Sequence, residues 1–340
     1  MRSLTKKLPY LLLGAVPFTV QASQNILGIE TTTSTVNPTS DVLSTADPKS
    51  SGVNGITTIN TTFNNQVKTV TSIQTAAGTY IPIGNSLDAK FRRSSDDNTV
   101  LYWSAGSAFS GSGSTRSITL YGSPTATMEE AFSSQNLFIG TDNLFVNSGH
   151  TGGNQNNIER VDFYNPAAMT ASADLGFAIF ERGGNDPFKI AIITSLDGAG
   201  NPNGYSSVYS SEFSSSNRGN ILDTFDYLVI RDGAASDKSS QSIYGKLFTM
   251  EDFGIANGTQ IYGYSIFAAD VTGEGDQLVD WTDTTYFPET LDNNATTGAP
   301  NRGGLDLLAY GGFMQFQPVP EPSSLLLLGA SLGFAFRRRR

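Results

Sequence analysis

Six runs of apolar and β-branched residues crowd the second half of the chain and leave room for little but sheet. Ile158–Tyr164, Leu175–Glu181, Phe188–Thr194, Phe225–Ile230, Ile243–Phe248 and Ile261–Ala268 are each six to eight residues long. Glycine-rich or polar breaks such as Arg182–Pro187 and Asp197–Gly204 divide several of them. Side chains alternate along a strand, so Phe225, Tyr227 and Val229 share one face. Ala178–Phe180 and Ile190–Ile193 are apolar on both faces, the pattern of strands inside a sandwich core. Strands that recur with turn punctuation, without alternating helices, predict an all-β fold. The expectation is an antiparallel β-sandwich, jelly-roll-like, with long polar loops. No repeat of fixed period is present, which argues against a β-helix or propeller.

The first half is more polar. Residues 23–55 are rich in Thr, Ser, Asn and Asp and read as a polar leader with one edge strand. Ile56–Phe63 and Val67–Gln74 flank Asn64-Asn65-Gln66, a hairpin pattern. Val100–Trp103 and Ser117–Tyr121 are short strands around the Gly/Ser-rich loop Gly106–Thr115. Thr127-Met128-Glu129-Glu130 fits a capping box and predicts a short helix. A second is expected at Met250–Phe253, closed by Gly254. Leu137–Val146 returns to apolar alternation, and the very polar stretch Asn147–Asn157 reads as a hinge inside a body spanning 56–317.

Both ends carry addresses. Arg2, Lys6 and Lys7 precede the apolar stretch Leu8–Val20, and Val20-Gln21-Ala22 follows. This is the pattern of a secretory signal peptide, residues 1–22, cut after Ala22. Residues 318–340 hold Pro320, Glu321 and Pro322, then an apolar run from Leu325 to Phe336, then Arg337, Arg338, Arg339 and Arg340. The prolines keep the chain extended and open to an enzyme. The apolar run predicts a C-terminal hydrophobic helix, with its arginines on the cytoplasmic side. At about 1.5 Å per residue it falls short of a hydrocarbon core of about 30 Å, a deficit that arginine snorkelling and local thinning reduce. The physical reading is transient insertion in the inner membrane behind a processing site; an ordinary tail anchor is the alternative.

This order of triplet, apolar helix and arginines resembles a PEP-CTERM sorting signal. The resemblance implies recognition by an exosortase, a membrane transpeptidase-like enzyme of Gram-negative and related bacteria. It further implies cleavage near the triplet and delivery to the cell surface or extracellular matrix. Gly176–Asp197, Asp280-Trp281 and Gly303–Leu307 resemble secreted proteins with the same kind of tail. Those relatives have no assigned activity, so no catalytic residue carries over.

The whole chain has a net charge of −10, and losing the cationic ends makes the body more acidic still. Such a body has no electrostatic means of holding nucleic acid or anionic lipid. It contains no cysteine, which excludes disulfides, Cys-zinc sites, iron–sulfur clusters and thiol catalysis. His150 is the only histidine, so histidine-based zinc and non-haem iron sites are excluded. It lies in a polar loop, too near Ser148 for a convincing triad and without a nucleophile elbow.

Carboxylates are the remaining source of chemistry. Glu159, Asp162, Glu181, Asp226 and Asp280 are candidates for a glycosidase pair, which needs two carboxyl groups about 5–10 Å apart across a cleft. Glu159 and Asp162 are three apart and fall on opposite strand faces. No metal is firmly expected; calcium is the candidate among ions, because oxygen ligands suffice for it, and a solvated acidic loop is the alternative. The candidate loop gathers Asp270, Glu274, Asp276, Asp280 and Asp283 around Gly273 and Gly275, without matching an EF-hand. Asp197–Asn201 fails that pattern too. Trp103, Tyr205, Tyr209, Trp281 and Tyr286 are candidates for stacking on sugar rings, although tyrosines in β proteins mostly serve half-buried strand positions.

The expectation is a non-enzymatic surface or extracellular-matrix protein, structural or adhesive within an exopolysaccharide or biofilm layer. Its partners would be an exosortase and extracellular polysaccharide. The alternative is a carbohydrate-binding or carboxylate-dependent carbohydrate-active β-sandwich, marked by a groove of Trp103, Trp281 or tyrosines above two facing carboxylates.

Overall fold

β-Branched and aromatic runs fold as strands because a pleated, half-covered surface suits their stiff side chains. The computed structural model describes residues 23–35, 58–64, 66–94, 101–106, 111–112, 115–121, 128–147, 157–231, 234–289 and 303–318. The first half supplies β1 (Gln24–Asn25), β2 (Gly28–Thr35), β3 (Thr58–Asn64), β4 (Gln66–Gln74), β5 (Thr79–Ser86), β6 (Asp88–Arg93), β7 (Leu101–Gly106) and β8 (Thr115–Tyr121). Helix α1 (Met128–Ser133) and β9 (Ile139–Gly140) follow, then β10 (Ile158–Thr170), β11 (Leu175–Arg182) and β12 (Pro187–Leu196). The rest are β13 (Pro202–Tyr205), β14 (Tyr209–Glu212), β15 (Asp223–Arg231), β16 (Ala234–Thr249), β17 (Gln260–Ala268) and β18 (Gly312–Gln317).

These strands form two curled sheets, and the expected all-β sandwich is borne out. The larger runs β2-β4-β5-β18-β11-β16-β15-β7-β8-β3, with β1 on β16 and β9 on β7. The smaller runs β13-β12-β17-β10-β6, with β14 on β12. Neighbours are antiparallel except β3 and β8, which run parallel.

The core between the sheets is aromatic. Phe177 of β11 stacks on Tyr264 of β17 at 4.0 Å between ring centroids, with Phe248, Phe253 and Phe313 around it. Ile179 faces the same way, and Ile190, Ile192 and Ile266 answer from the smaller sheet. Ala178 and Phe180 turn to a second core on the opposite face of β11. There Ile26, Val70, Leu247 and Met314 pack with Leu137, Phe138, Leu308 and Tyr310 from irregular segments. β11 is therefore buried on both faces along its whole length.

Two local expectations are corrected. Asn64-Asn65-Gln66 does not turn a hairpin: β4 pairs with β2 and β5, while β3 joins β8. The polar leader supplies β2, which matches β4 from Gly28↔Gln74 to Thr35↔Gln66 and so occupies the edge a hairpin would use. Leu137–Val146 contributes only the two-residue β9 and is otherwise irregular. Its apolar side chains are buried, and its amides bond to a distant segment, Thr141 N to Leu307 O and Leu144 N to Leu305 O.

Met250–Phe253 forms one turn of 3-10 helix, closed by Gly254 at φ 66°. Its expected partner exists as α1, whose cap Thr127 lies outside the described residues, as do 1–22 with Ala22, His150 and most of 147–157. The tail from 319 onward, with Pro320, Glu321, Pro322 and Arg337–Arg340, also lies outside them. Among the described residues, no helix is long and apolar enough to cross a membrane. Phe177→Ala should cost about 3–5 kcal/mol, because it removes the ring on which both sheets meet. Phe225→Ala, at the margin of the second core, should cost clearly less; urea unfolding midpoints of the two variants check the order.

Candidate functional site

β11 carries its burial past its apolar residues, so Glu181 and Arg182 enter the interior with it, at 0% and 5% exposure. Arg182 donates to Tyr227 Oη and to Asp142 Oδ1, each at 2.5 Å, and forms an ion pair with Asp306. Asp142 comes from the turn after β9. Asp306 comes from the segment before β18, where Leu307 bridges to Glu181 and Asn143 N donates to Asp306 Oδ1 at 2.8 Å.

The turn from β11 to β12 folds Asp186 back against Glu181. Gly183 and Gly184 take φ of 101° and 73°, and a Cβ on Gly184 would sit 2.5 Å from the Tyr244 ring. Only glycine fits there. Gly184 N donates to Glu181 Oε2 at 2.5 Å, while Glu181 Oε1 is buried without any hydrogen-bond donor. One carboxylate oxygen each from Glu181, Asp186 and Asp306 lies within 4.8 Å of the other two. Burial pushes all three acids above the usual carboxylate range, and their mutual repulsion adds to it at Glu181. Burial works against the Arg182 charge, but Asp306 and Asp142 outweigh it and hold the guanidinium protonated.

A second buried network lies on the smaller sheet. Arg160 and Asp162, two apart on β10, share a face and are both fully buried, with Arg160 Nε 2.7 Å from Asp162 Oδ1. Arg92 of β6 reaches Asp162 Oδ2 at 2.7 Å, and Ser265 donates to its Oδ1 at 2.6 Å. Arg160 also donates to Leu278 O at 2.5 Å and Val279 O at 3.2 Å. Trp281 lies against both guanidiniums, 5.0 Å from Arg160 and 5.1 Å from Arg92, and donates Nε1–H to Arg93 O. Tyr205 takes another side of Arg160 at 5.4 Å. The acidic loop 270–283 is thus fastened to the sheet by arginine.

Its five carboxylates do not converge: among the described residues, the one group of three or more with mutually close oxygens is Glu181, Asp186 and Asp306. Glu274 Oε2 accepts from Val208 N, Asp283 Oδ1 from Thr285 N, and Asp280 Oδ1 from Thr282, which pulls Asp280 down. Asp270 is partly buried and Asp276 exposed.

Of the glycosidase candidates, Asp162 is locked between arginines and Glu181 belongs to the interior cluster. Glu159, 4% exposed, accepts from Asn147 Nδ2 at 2.7 Å. Asp226 is partly buried on β15 and Asp280 exposed in its loop. The side chain of Trp103 lies outside the description, and Tyr286 accepts from Gln277. Tyr209 lines a separate cavity of about 610 Å³ with Asn25, Lys189, Glu212, Asn217 and Lys246. Asp142, Arg182, Asp186 and Asp306 were not singled out from the sequence. The available signal is Glu-Arg-Gly-Gly-Asn-Asp-Pro, charges running directly on from a strand that is apolar on both faces.

Glu159 gives a clean titration test. Burial pushes it up to about 7, against hydrogen bonds from Ser94 and Asn147. A carboxyl group raised in this way favours the fold while protonated, so its contribution is full below its unfolded value and is lost as pH rises through about 7. Relative to Glu159→Gln, the wild-type chain should lose about 1.4 kcal/mol per pH unit between the unfolded and folded values. Urea unfolding of both proteins across that window measures the slope.

Residues 318–340 match the PEP-CTERM protein-sorting motif. No curated protein and no solved structure matches the chain. The matched motif supports exosortase-dependent sorting to the cell surface or extracellular space, with processing by a membrane enzyme.

Proposed function

We propose that this protein is a structural or adhesive component of an extracellular polysaccharide or biofilm layer, without catalytic activity of its own. The observation that carries the reading is the sorting motif at 318–340. The body supports it through the way its strand carboxylates are used. Asp162 holds two arginines and Glu181 sits with Asp186 and Asp306, both away from solvent. A buried carboxylate paired as Asp162 is fixes packing and register rather than meets a substrate.

The cavity beside Tyr209 favours a second reading, a sugar-binding module. It offers Tyr209 and Phe188 among polar groups from Asn25, Glu212, Asn217 and Lys246, a common make-up for carbohydrate recognition. Lys246 is already held by Asn25 Oδ1 and the Asn217 carbonyl, so a ligand there would meet a preset ammonium.

Protein recovered from native cells should have an intact mass ending near Pro320–Pro322, without Arg337–Arg340. Glu321→Ala should leave the full chain in the membrane fraction. Recovery of the arginines on the exported wild-type protein, in a strain with an exosortase, would sink the processing. Polysaccharide from the same cells should retain the protein on co-sedimentation. Retention that Tyr209→Ala abolishes places the contact at the cavity, and release at low salt with no effect of that variant argues against a binding module.

A further inference from the structure

We infer that Glu181, Asp186 and Asp306 hold a divalent cation of calcium's size, which fastens the turn between β11 and β12 to the segment leading into β18. One oxygen from each carboxylate lies within 4.8 Å of the others. Ligands about 2.4 Å from one calcium ion are at most about 4.8 Å apart, so the spacing of the three oxygens is compatible with a single ion drawing them together. Calcium takes six to eight oxygens in irregular geometry, and the three carboxylates supply one each before any further oxygen joins. Magnesium prefers an octahedral shell that keeps several waters, which a largely buried set of carboxylates suits less well than calcium's irregular shell.

The independent observation is Glu181 Oε1. Glu181 is fully buried, its Oε2 takes the Gly184 N–H, and Oε1 has no donor although it lies among other carboxylates. A carboxylate oxygen left so in the interior is costly unless a cation or a proton meets it. The neighbouring guanidiniums do not. Arg182 faces Asp142, Asp306 and Tyr227, and Arg218 bonds to Gly183 O and lies over the Tyr244 ring. Four carboxylates, Glu181, Asp186, Asp306 and Asp142, thus surround one paired arginine, and a divalent ion removes most of the excess. A further oxygen is at hand. A Cβ on Gly183 would come within 2.7 Å of Asn185 Oδ1 and 3.6 Å of Glu181 Oε1, so both line the same side of the turn. This site is separate from the acidic loop 270–283.

The test uses the purified full-length chain, stripped with a chelator and titrated near neutral pH with calcium chloride or magnesium chloride at fixed ionic strength. Calorimetry should find one calcium site per chain. At about a hundredfold excess over Kd, calcium should raise Tm by a few degrees and magnesium by clearly less. Asp186→Asn and Asp306→Asn should each lose the calcium response. In chelator, Asp186→Asn should melt no lower than the wild type, since the amide removes one negative charge from a group of neighbouring carboxylates. Asp276→Asn with Asp280→Asn should keep the full response. If the site variants do not fold, terbium luminescence of the wild type, excited through Tyr227 and Tyr244 and displaced by calcium, reads the same site. No calcium heat or shift in the wild type would overturn the inference and leave the cluster neutralised by protons. An equal response to magnesium, or a calcium response that survives both site variants, would overturn it as well.

Discussion

A strand covered on both faces must bring into the interior whatever its sequence carries, and β11 carries two charges. Phe177 and Ile179 fill the space between the sheets, Ala178 and Phe180 the curl of the larger sheet, and Glu181 and Arg182 continue the same line. Water cannot solvate those charges, so the fold must answer them from within. The answer comes from segments without regular structure. The turn after β9 brings Asp142, and the stretch before β18 brings Asp306. The residues just before β9 and the stretch before β18 deliver Leu137, Phe138, Leu308 and Tyr310 to the second core. One pair of irregular chains therefore serves the apolar and the ionic needs of β11 together, with the 141–145 amides bonded to 303–307.

The smaller sheet meets a like problem with Arg160. Its charge is balanced by Asp162, yet its remaining N–H groups reach out to the carbonyls of Leu278 and Val279. A loop rich in acidic residues thereby docks through its backbone, leaving several of its carboxylates to cap their own turns.

What the sequence disclosed follows from how local each signal is. Ile190–Ile193 and Ala178–Phe180 are apolar on both faces wherever they are placed, so their central position was legible. Gly254 after Met250–Phe253 and the tail at 318–340 are local as well. Pairing is not. β4 finds its partner in the Thr-rich β2 rather than across Asn64-Asn65-Gln66, a choice set by sheet edges and not by the turn. Face alternation would place Glu159 and Asp162 apart, but a register shift between Ile158 and Arg160 interrupts it, and the first seven residues of β10 are all buried, so alternation could not tell which of them meets solvent. Glu181 was visible as a carboxylate on a strand; its companions were not, because Asp306 reaches it only through the long path of the chain.

β18 sits inside the larger sheet, between β5 and β11, and its last residue stands one position before the sorting motif begins. Interstrand hydrogen bonds run across the strand direction. A tether attached just beyond β18 would therefore pull along the strand and load its bonds to Leu175–Phe177 and to β5 together, in shear rather than one at a time. Such a tether would hold the body by the part of its sheet least able to peel.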